Sequence, residues 1–101
     1  MIEIKKQNDS SYKFHVQTEN GQVLMTSRTL ISIDEVEALV ELMNAENKKG
    51  LLYERKTNHE GEFLFNVKDA DGQLIGSSQL YNSEAGMENG INNLKIRLAA
   101  L

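Results

Sequence analysis

Apolar and polar residues alternate in two short segments near the start of the chain. Ile2 and Ile4 form the first alternating pair, and Tyr12, Phe14 and Val16 form the second series. A period of two places the apolar side chains on one face of an extended strand. The pattern therefore predicts two strands, each with one face toward a core and the other toward solvent.

A glycine turn follows the alternating segments in each half of the chain. The stretches "ENGQ" and "ADGQ" place Asn-Gly at residues 20–21 and Asp-Gly at residues 71–72. A tight hairpin needs positive φ at such positions, which glycine adopts without steric cost. We therefore expect the chain to return as third strands at residues 22–27 and 73–78.

The apolar spacing then changes to three and four residues, which is typical of an amphipathic helix. The two predicted stripes are Val36, Val40 and Met43 in the first half and Met87, Ile91, Leu94 and Leu98 in the second. Each half of the chain is thus expected to end in a helix that lies on a core.

Both predicted helices begin at a serine. Ser32 opens the capping box "SIDE", in which Glu35 can reach back to the cap amide, and Ser83 precedes Glu84 in the first turn of the second helix. The linker "NAENKKG" ends the first helix. Lys48 and Lys49 suit the negative end of the helix dipole, and Asn47 or Gly50 can supply a left-handed stop.

The two halves of the chain align with each other. The stretch "NGQVLMTSRTLIS" at 20–32 matches "DGQLIGSSQLYNS" at 71–83 without a gap, at an offset of 51 residues. Upstream, Tyr12 falls on Phe63 and Phe14 on Phe65. This register predicts a tandem duplication, with repeat one at about residues 2–47 and repeat two at about residues 52–98.

A lone three-stranded sheet with one helix would be marginally stable, whereas two such units can share a sheet and bury both helices on it. We therefore expect an α+β fold of two tandem β-β-β-α repeats that share an antiparallel sheet, with the two helices packed on it and pseudo-twofold symmetry. Residues 1–101 should form a single domain, because the linker is short and 101 residues fit one core.

Composition excludes several classes of function. The chain has no Cys, so it can form neither a disulfide framework nor a cysteine zinc site, and a reducing cytoplasm is expected. No run approaches the roughly 18 apolar residues of a membrane helix, and the first ten residues do not resemble a signal peptide. The net charge is −4 and the longest basic runs are two lysines, so neither a membrane nor nucleic acid is an expected partner.

Neither histidine belongs to a recognisable site. His15 alternates with Phe14 and Val16 and should point to the opposite face of the strand, and His59 lies in the predicted turn "TNHEGE". Surface histidines are the favoured interpretation of both. The chain has no His, Cys or carboxylate spacing that is typical of a metal site, so we assign no metal ligands.

Glycines, serines and carboxylates likewise match no catalytic or nucleotide motif. Gly72, Gly76, Gly86 and Gly90 lack the spacing of a phosphate-binding loop, and Ser77 and Ser78 lack a nucleophile elbow. The matched carboxylates Glu3/Glu54 and Glu37/Glu88 fall on polar faces and should be solvated. We therefore assign no catalytic and no cofactor-binding residues, and no cofactor.

Gly86 and Gly90 stand out because glycine destabilises the interior of a helix. Two interpretations are open. Either the missing side chains let the second helix approach the sheet more closely than the first, which has Glu35 and Leu39 there, or they leave a notch for a ligand or partner.

The series "DGQ", "IGSS", "YNSEAG" and "NGI" before an apolar helix resembles the YegP-like family of bacterial proteins of unknown function. The second half is the closer match, from Phe63 to Leu94, whereas the first half has Leu30 where the second has Tyr81. The resemblance implies a single mixed α+β structure in which tandem copies share a sheet. It implies no reaction and no catalytic residues.

Two functional hypotheses follow. The favoured one is a small, soluble, non-enzymatic binding or accessory protein, because the matched positions serve turns, caps and core. The alternative is an enzyme or small-ligand receptor with a site between the repeats that uses Tyr81, His15 and the glycine surface of the second helix. The expected partner is a protein or a small molecule, and the expected state is a monomer, with a weak dimer as the alternative.

Overall fold

The computed structural model describes residues 2–8 and 10–100, apart from the side chains of Lys48 and Lys49. The expected effect of these two lysines on the helix dipole therefore lies outside the described residues. The elements run in the order β1 (Ile2–Asn8), β2 (Ser11–Gln17), β3 (Val23–Ser27), α1 (Ile33–Lys49), β4 (Leu52–Thr57), β5 (Phe63–Lys68), β6 (Leu74–Ser77) and α2 (Glu84–Ala99).

The six strands form one antiparallel sheet in the order β1-β2-β3-β6-β5-β4. The predicted α+β class, with an antiparallel sheet shared by both halves of the chain, is confirmed. β3 and β6 meet at the centre, where Thr26 pairs with Ser77 and Ser27 with Gly76. A side chain at Gly76 would collide with the Thr26 carbonyl group, so glycine is what allows the central strands to pair here.

The predicted glycine turns join the strands of each half. Gly21 has φ 85° and Gly72 has φ 82°, and among the described residues positive φ occurs only at glycines. Gly21 donates its amide to the Thr18 carbonyl at 3.0 Å, and Gly72 bonds Asp69 in the same way. Each turn is thus a β-turn with a glycine in the left-handed conformation at its last position. The pairing register of the flanking strands shifts by an irregularity next to each turn.

Both predicted helix caps form. Ser32 Oγ accepts the Glu35 amide at 3.1 Å, and Ser83 Oγ accepts the Gly86 amide at 3.0 Å. The capping box predicts that the Glu35 side chain bonds the amide of Ser32. The Glu35 carboxylate instead lies 3.4 Å from Arg28 Nη1. Gly50, with φ 98°, ends α1.

The buried apolar side chains of both halves form one cluster between the helices and the sheet. Its members are Phe14, Val16, Leu24, Met25, Leu30, Val36, Leu39, Met43, Leu51, Phe65, Val67, Ile75, Met87, Ile91, Leu94 and Leu98. The predicted stripes of both helices belong to this core, with Val40 partly buried at its margin. Both helices pack on this core, and we call the opposite face of the sheet the open face.

Candidate functional site

The open face of the sheet carries a continuous row of polar side chains. On β2, Phe14 and Val16 are buried in the core, so His15 between them points to the open face, as predicted. Strand pairing places one residue of every strand in line with His15. The row, from one edge to the other, is Glu3, His15, Thr26, Ser77, Asn66 and Glu54.

Hydrogen bonds connect neighbours within this polar row. The Thr26 hydroxyl group and His15 Nδ1 lie 3.0 Å apart. On the other side of the centre, Ser77 Oγ donates to Asn66 Oδ1 at 2.6 Å, and Asn66 Nδ2 donates to Glu54 Oε1 at 3.2 Å. These bonds hold the side chains of the central strands in defined positions.

Glu54 ends the row at the β4 edge and is surrounded by donors. Asn66 bonds one carboxylate oxygen, and the same oxygen lies 3.2 Å from Lys68 Nζ and 3.6 Å from Lys56 Nζ. The hydrogen bond from Asn66, followed by that from Lys68, lowers the pKa of Glu54 below its ordinary value. The predicted solvated carboxylate is therefore partly exposed and held by these donors, and it stays ionised at neutral pH.

A shallow pocket of 370 Å³ lies at the centre of the open face, across the junction of β3 and β6. Its lining is rich in hydroxyl groups and includes two cationic side chains. The lining residues are Lys13, Val23, Thr26, Ser27, Arg28, Thr29, Leu74, Gly76, Ser77, Ser78 and Gln79. We call this the central pocket, and no described carboxylate lines it.

Arg28 is held in place at the rim of the central pocket. Its Nε donates to the Leu74 carbonyl at 3.0 Å, and its Nη1 lies 3.4 Å from Glu35 Oε1 at the start of α1. Nη2 has no hydrogen-bond partner among the described residues. Arg28 can thus offer a fixed donor to a bound molecule, while Glu35 offsets part of its charge.

His15 and Tyr81, which the sequence grouped in one candidate site, lie on opposite faces of the sheet. His15 is in the polar row of the open face, whereas Tyr81 packs on the buried ring of Phe65, with ring centroids 6.4 Å apart. The hypothesis that these two residues belong to one site is therefore wrong. His59 is exposed in the turn that Gly61 closes by donating to Asn58, as predicted.

The glycine surface of α2 is packed rather than open. Gly90 is buried, and a Cβ there would lie 2.7 Å from Cζ of Tyr81 and even nearer its hydroxyl oxygen. A Cβ at Gly86 would lie 3.6 Å from Cδ1 of the same ring. The missing side chains make room for the Tyr81 ring, so the helix has no empty notch there and the glycines face packed protein.

Within the described part of the chain, the buried hydroxyl groups of Tyr53 and Tyr81 have no hydrogen-bond partner. The rings of Tyr53, Phe65 and Tyr81 form a continuous aromatic cluster, and Lys95 Nζ lies 5.1 Å from the centre of the Tyr53 ring. Burial raises the pKa of Tyr53 to about 12, so this phenol stays protonated across the physiological range.

The central pocket was not predicted from the sequence. Lys13 and His15 alternate with apolar residues and therefore lie on the same face of β2. This alternation is the one feature of the sequence that indicated part of the pocket lining. The other half of the pocket comes from residues about 50 positions further along the chain, and the pairing of β3 with β6 brings them there. Among the described residues, no group of three potential metal ligands comes together, and no helix is long and apolar enough to cross a membrane.

The fold defines a small α+β protein with one six-stranded antiparallel sheet and two helices. Solved structures share it. The solution NMR structure of YegP from Escherichia coli, described as a protein of unknown function, superposes with a TM-score of 0.86, covers 97% of this chain and 84% of its own, and is 32% identical. A UPF0339 protein of Shewanella oneidensis gives a TM-score of 0.85 at 27% identity, over 94% and 80% of the two chains.

Sequence comparisons agree with the structural ones. The domain of unknown function DUF1508 matches residues 58–97. The UPF0339 protein YegP of Escherichia coli K12 is 33% identical over 94 residues, which are 93% of this chain and 86% of that protein. A UPF0339 protein of Pseudomonas aeruginosa is 30% identical over 92 residues, 91% and 84% of the two chains. The chain belongs to the UPF0339 family of YegP-like proteins.

Proposed function

We propose that this protein is a small non-enzymatic binding module and that its ligand lies in the central pocket. The observation that carries the proposal is the position of this pocket, at the junction of the two halves of the sheet. Hydroxyl groups from both halves and two cationic side chains from the first half converge on it. Ligand sites typically combine a concave surface with a few convergent polar groups. A cytoplasmic setting, which the lack of Cys favours, belongs to the same proposal.

The lining favours a ligand with a carboxylate or a phosphate group. Lys13 and Arg28 supply positive charge, and Thr26 and Ser77 supply hydroxyl groups that the polar row already orients. The chain as a whole carries a net charge of −4, yet no described carboxylate lines the pocket. An anion would therefore meet donors and cations there rather than the acidic surface found elsewhere.

The distribution of titratable groups supports binding over catalysis. Perturbed pKa values tend to mark catalytic sites. Among the described residues, those with a shifted pKa are Tyr53, Glu54, Arg55 and Glu88, and none of these four lines the central pocket.

A tandem origin of the two halves is also proposed, since matching contacts occur at the predicted offset. The Phe14 amide donates to Ser27 Oγ at 3.0 Å, and the Phe65 amide donates to Ser78 Oγ at 2.9 Å. Thr26 and Ser77, which are 51 positions apart, face each other at the centre of the sheet. A duplication would have created the central pocket from two equivalent strand edges.

The test is a ligand screen read by thermal shift and by backbone amide NMR shifts. The panel holds small carboxylates and phosphate esters in separate arms, so that the two anion types are distinguished. A ligand at a hundred times its dissociation constant should stabilise the fold by about 2.7 kcal/mol. The amides of Thr26, Ser77 and Ser78 should shift with it.

Two variants localise the binding. Lys13→Leu, which copies Leu64 at the matched position, should weaken binding about tenfold by removing a charged hydrogen bond. Lys56→Leu is the matched control, because this lysine lies beside Glu54 at the β4 edge, outside the pocket lining. Equal affinity of Lys13→Leu and the parent, or no response to any anion, would contradict the proposal.

A further inference from the structure

The two edge strands of the sheet, β1 and β4, differ at one matched position. On β4, Arg55 Nη2 donates to Glu88 Oε1 of α2 at 2.9 Å, which covers the space between strand and helix. At the matched position of β1 stands Ile4, which is 47% exposed. The edge of the first half therefore lacks the ion pair that covers the edge of the second.

An apolar groove lies where this cover is missing. It has a volume of 380 Å³ between β1 and α1. Its lining consists of Ile2, Ile4, Val36 and Val40, with Glu37 and Glu41 at the rim. Among the residues that the structure describes, neither of these glutamates has an ion pair. The groove is thus an apolar surface with an acidic border, directly beside an edge strand.

The backbone of β1 at Ile4 is oriented toward the outside of the sheet. Ile4 pairs with Phe14 of β2, but the Phe14 amide donates in the other direction, to Ser27 Oγ of β3. In an antiparallel ladder this makes Ile4 and Phe14 a pair without mutual hydrogen bonds. The N–H and C=O groups of Ile4 therefore point away from β2, where they can bind another strand.

We propose that β1 pairs antiparallel with β1 of a second copy of this chain, about a twofold axis at Ile4. The two Ile4 residues then form a hydrogen-bonded pair, and their side chains cover each other beside the two grooves. On the open face, Glu3 of each copy lies opposite Lys5 of the other, which gives two cross-strand charge pairs. The result is one continuous sheet with closed twofold symmetry.

The order of charges along β1 favours a second copy over a foreign strand. The sequence Glu3-Ile4-Lys5 is complementary to itself when it is reversed about Ile4. The same pairing also places Lys6 of the second copy opposite Ile2, and so brings positive charge to the groove that Glu37 and Glu41 border.

The other edge strand lacks this complementarity. If β4 paired in the same way with β4 of a second copy, Arg55 would lie opposite Arg55. Like charges directly opposite each other destabilise a sheet. Only one edge is therefore suited to self-association, so the assembly stops at a dimer. Its interface is small and the dimer should be weak.

Sedimentation equilibrium of the full chain, from about 10 µM to about 1 mM, should show a reversible monomer–dimer equilibrium. Ile4→Arg copies Arg55 and can pair with Glu37, so it should fold normally and weaken dimerisation at least tenfold. The matched control is Ile96→Arg, because Ile96 is 70% exposed on α2, away from β1. This control should dimerise like the parent.

A charge-swap series provides a test that does not depend on the folding of Ile4→Arg. Glu3→Lys and Lys5→Glu should each weaken the dimer about tenfold, because each turns two attractive pairs into repulsive ones. The double variant should recover the affinity of the parent. A double variant that is no better than the single ones would overturn the proposed register. A parent that stays monomeric at every concentration would overturn self-association and leave the groove to another molecule.

Discussion

The ring of Tyr81 lies over Gly90, and its hydroxyl group takes the space that a side chain at Gly90 would need. The matched positions of the first half hold Leu30 and Leu39, both buried. One half thus packs a large residue on the smallest one, and the other half packs two residues of medium size. The two halves therefore fill the matched place in the core with different pairs of side chains.

Gly90→Leu should lower stability because the new side chain overlaps the Tyr81 ring. Overpacking costs about 1–3 kcal/mol, against a gain of about 0.8 kcal/mol in helix propensity, so a net loss of up to about 2 kcal/mol is expected. Tyr81→Leu combined with Gly90→Leu copies the first half and should recover much of that loss. Chemical denaturation of the two single variants and the double variant measures the coupling. Strictly additive effects would contradict this packing relationship.

Tyr53→Phe should leave stability unchanged or raise it by up to about 1 kcal/mol, because the buried hydroxyl group has no hydrogen-bond partner among the described residues. The pH dependence gives a second readout. The pKa of Tyr53 is raised by burial to about 12, so its contribution to stability is complete below pH 10 and is lost as the pH rises toward 12. Unfolding measured between pH 9 and 12 should show this decline in the parent and less of it in Tyr53→Phe.

Arg55→Ile, which copies Ile4, should raise the pKa of Glu88. The side-chain hydrogen bond from Arg55 lowers this pKa below its ordinary value, followed by the charge of the same arginine. A lowered pKa in the folded state stabilises the fold above the unfolded-state pKa, and this stabilisation disappears as the pH falls through the folded-state pKa. An NMR titration of the Glu88 carboxyl group checks the shift. An unchanged midpoint in Arg55→Ile would show that the ion pair is absent in solution.

Ser27→Ala should destabilise the protein by about 1–3 kcal/mol, since it leaves a buried amide without a partner. Ser27 Oγ accepts the Phe14 amide at 3.0 Å and donates to the Arg28 carbonyl at 2.8 Å. Ser78→Ala removes the matched contact with Phe65, but Ser78 is only partly buried, so the loss should be smaller. Thermal unfolding of both variants tests the order. If Ser27→Ala is as stable as the parent, the hydrogen bond from the Phe14 amide to Ser27 does not contribute to stability.

A fragment of residues 51–101 should not fold as a stable monomer, because its share of the core packs against the other half. β6 would lose its pairing with β3, and α2 would lose its contacts with α1 and β3. The expected result is an unfolded chain or a homodimer in which two copies of β6 meet. Circular dichroism and sedimentation distinguish these outcomes from a folded monomer, which would contradict a single shared core.

The local structure of this protein follows from short stretches of its sequence. The alternation at Tyr12, Phe14 and Val16, the turn glycines Gly21 and Gly72, and the cap serine Ser32 each act within a few residues of themselves. Turn geometry, capping and amphipathic periods depend on such neighbours alone, so these elements could be predicted. The face on which His15 lies follows from the same alternation.

The tertiary structure decided which distant surfaces meet. The pairing of Thr26 with Ser77 depends on the fit of two strand edges about 50 residues apart, and that pairing builds the central pocket. The packing of helix on sheet also decides that the Tyr81 ring fills the space beside Gly90. It likewise decides that Arg55 covers one edge of the sheet, whereas Ile4 leaves the other edge uncovered. Such contacts depend on the joint shape and charge of surfaces that come together only when the chain folds, and no local pattern encodes them.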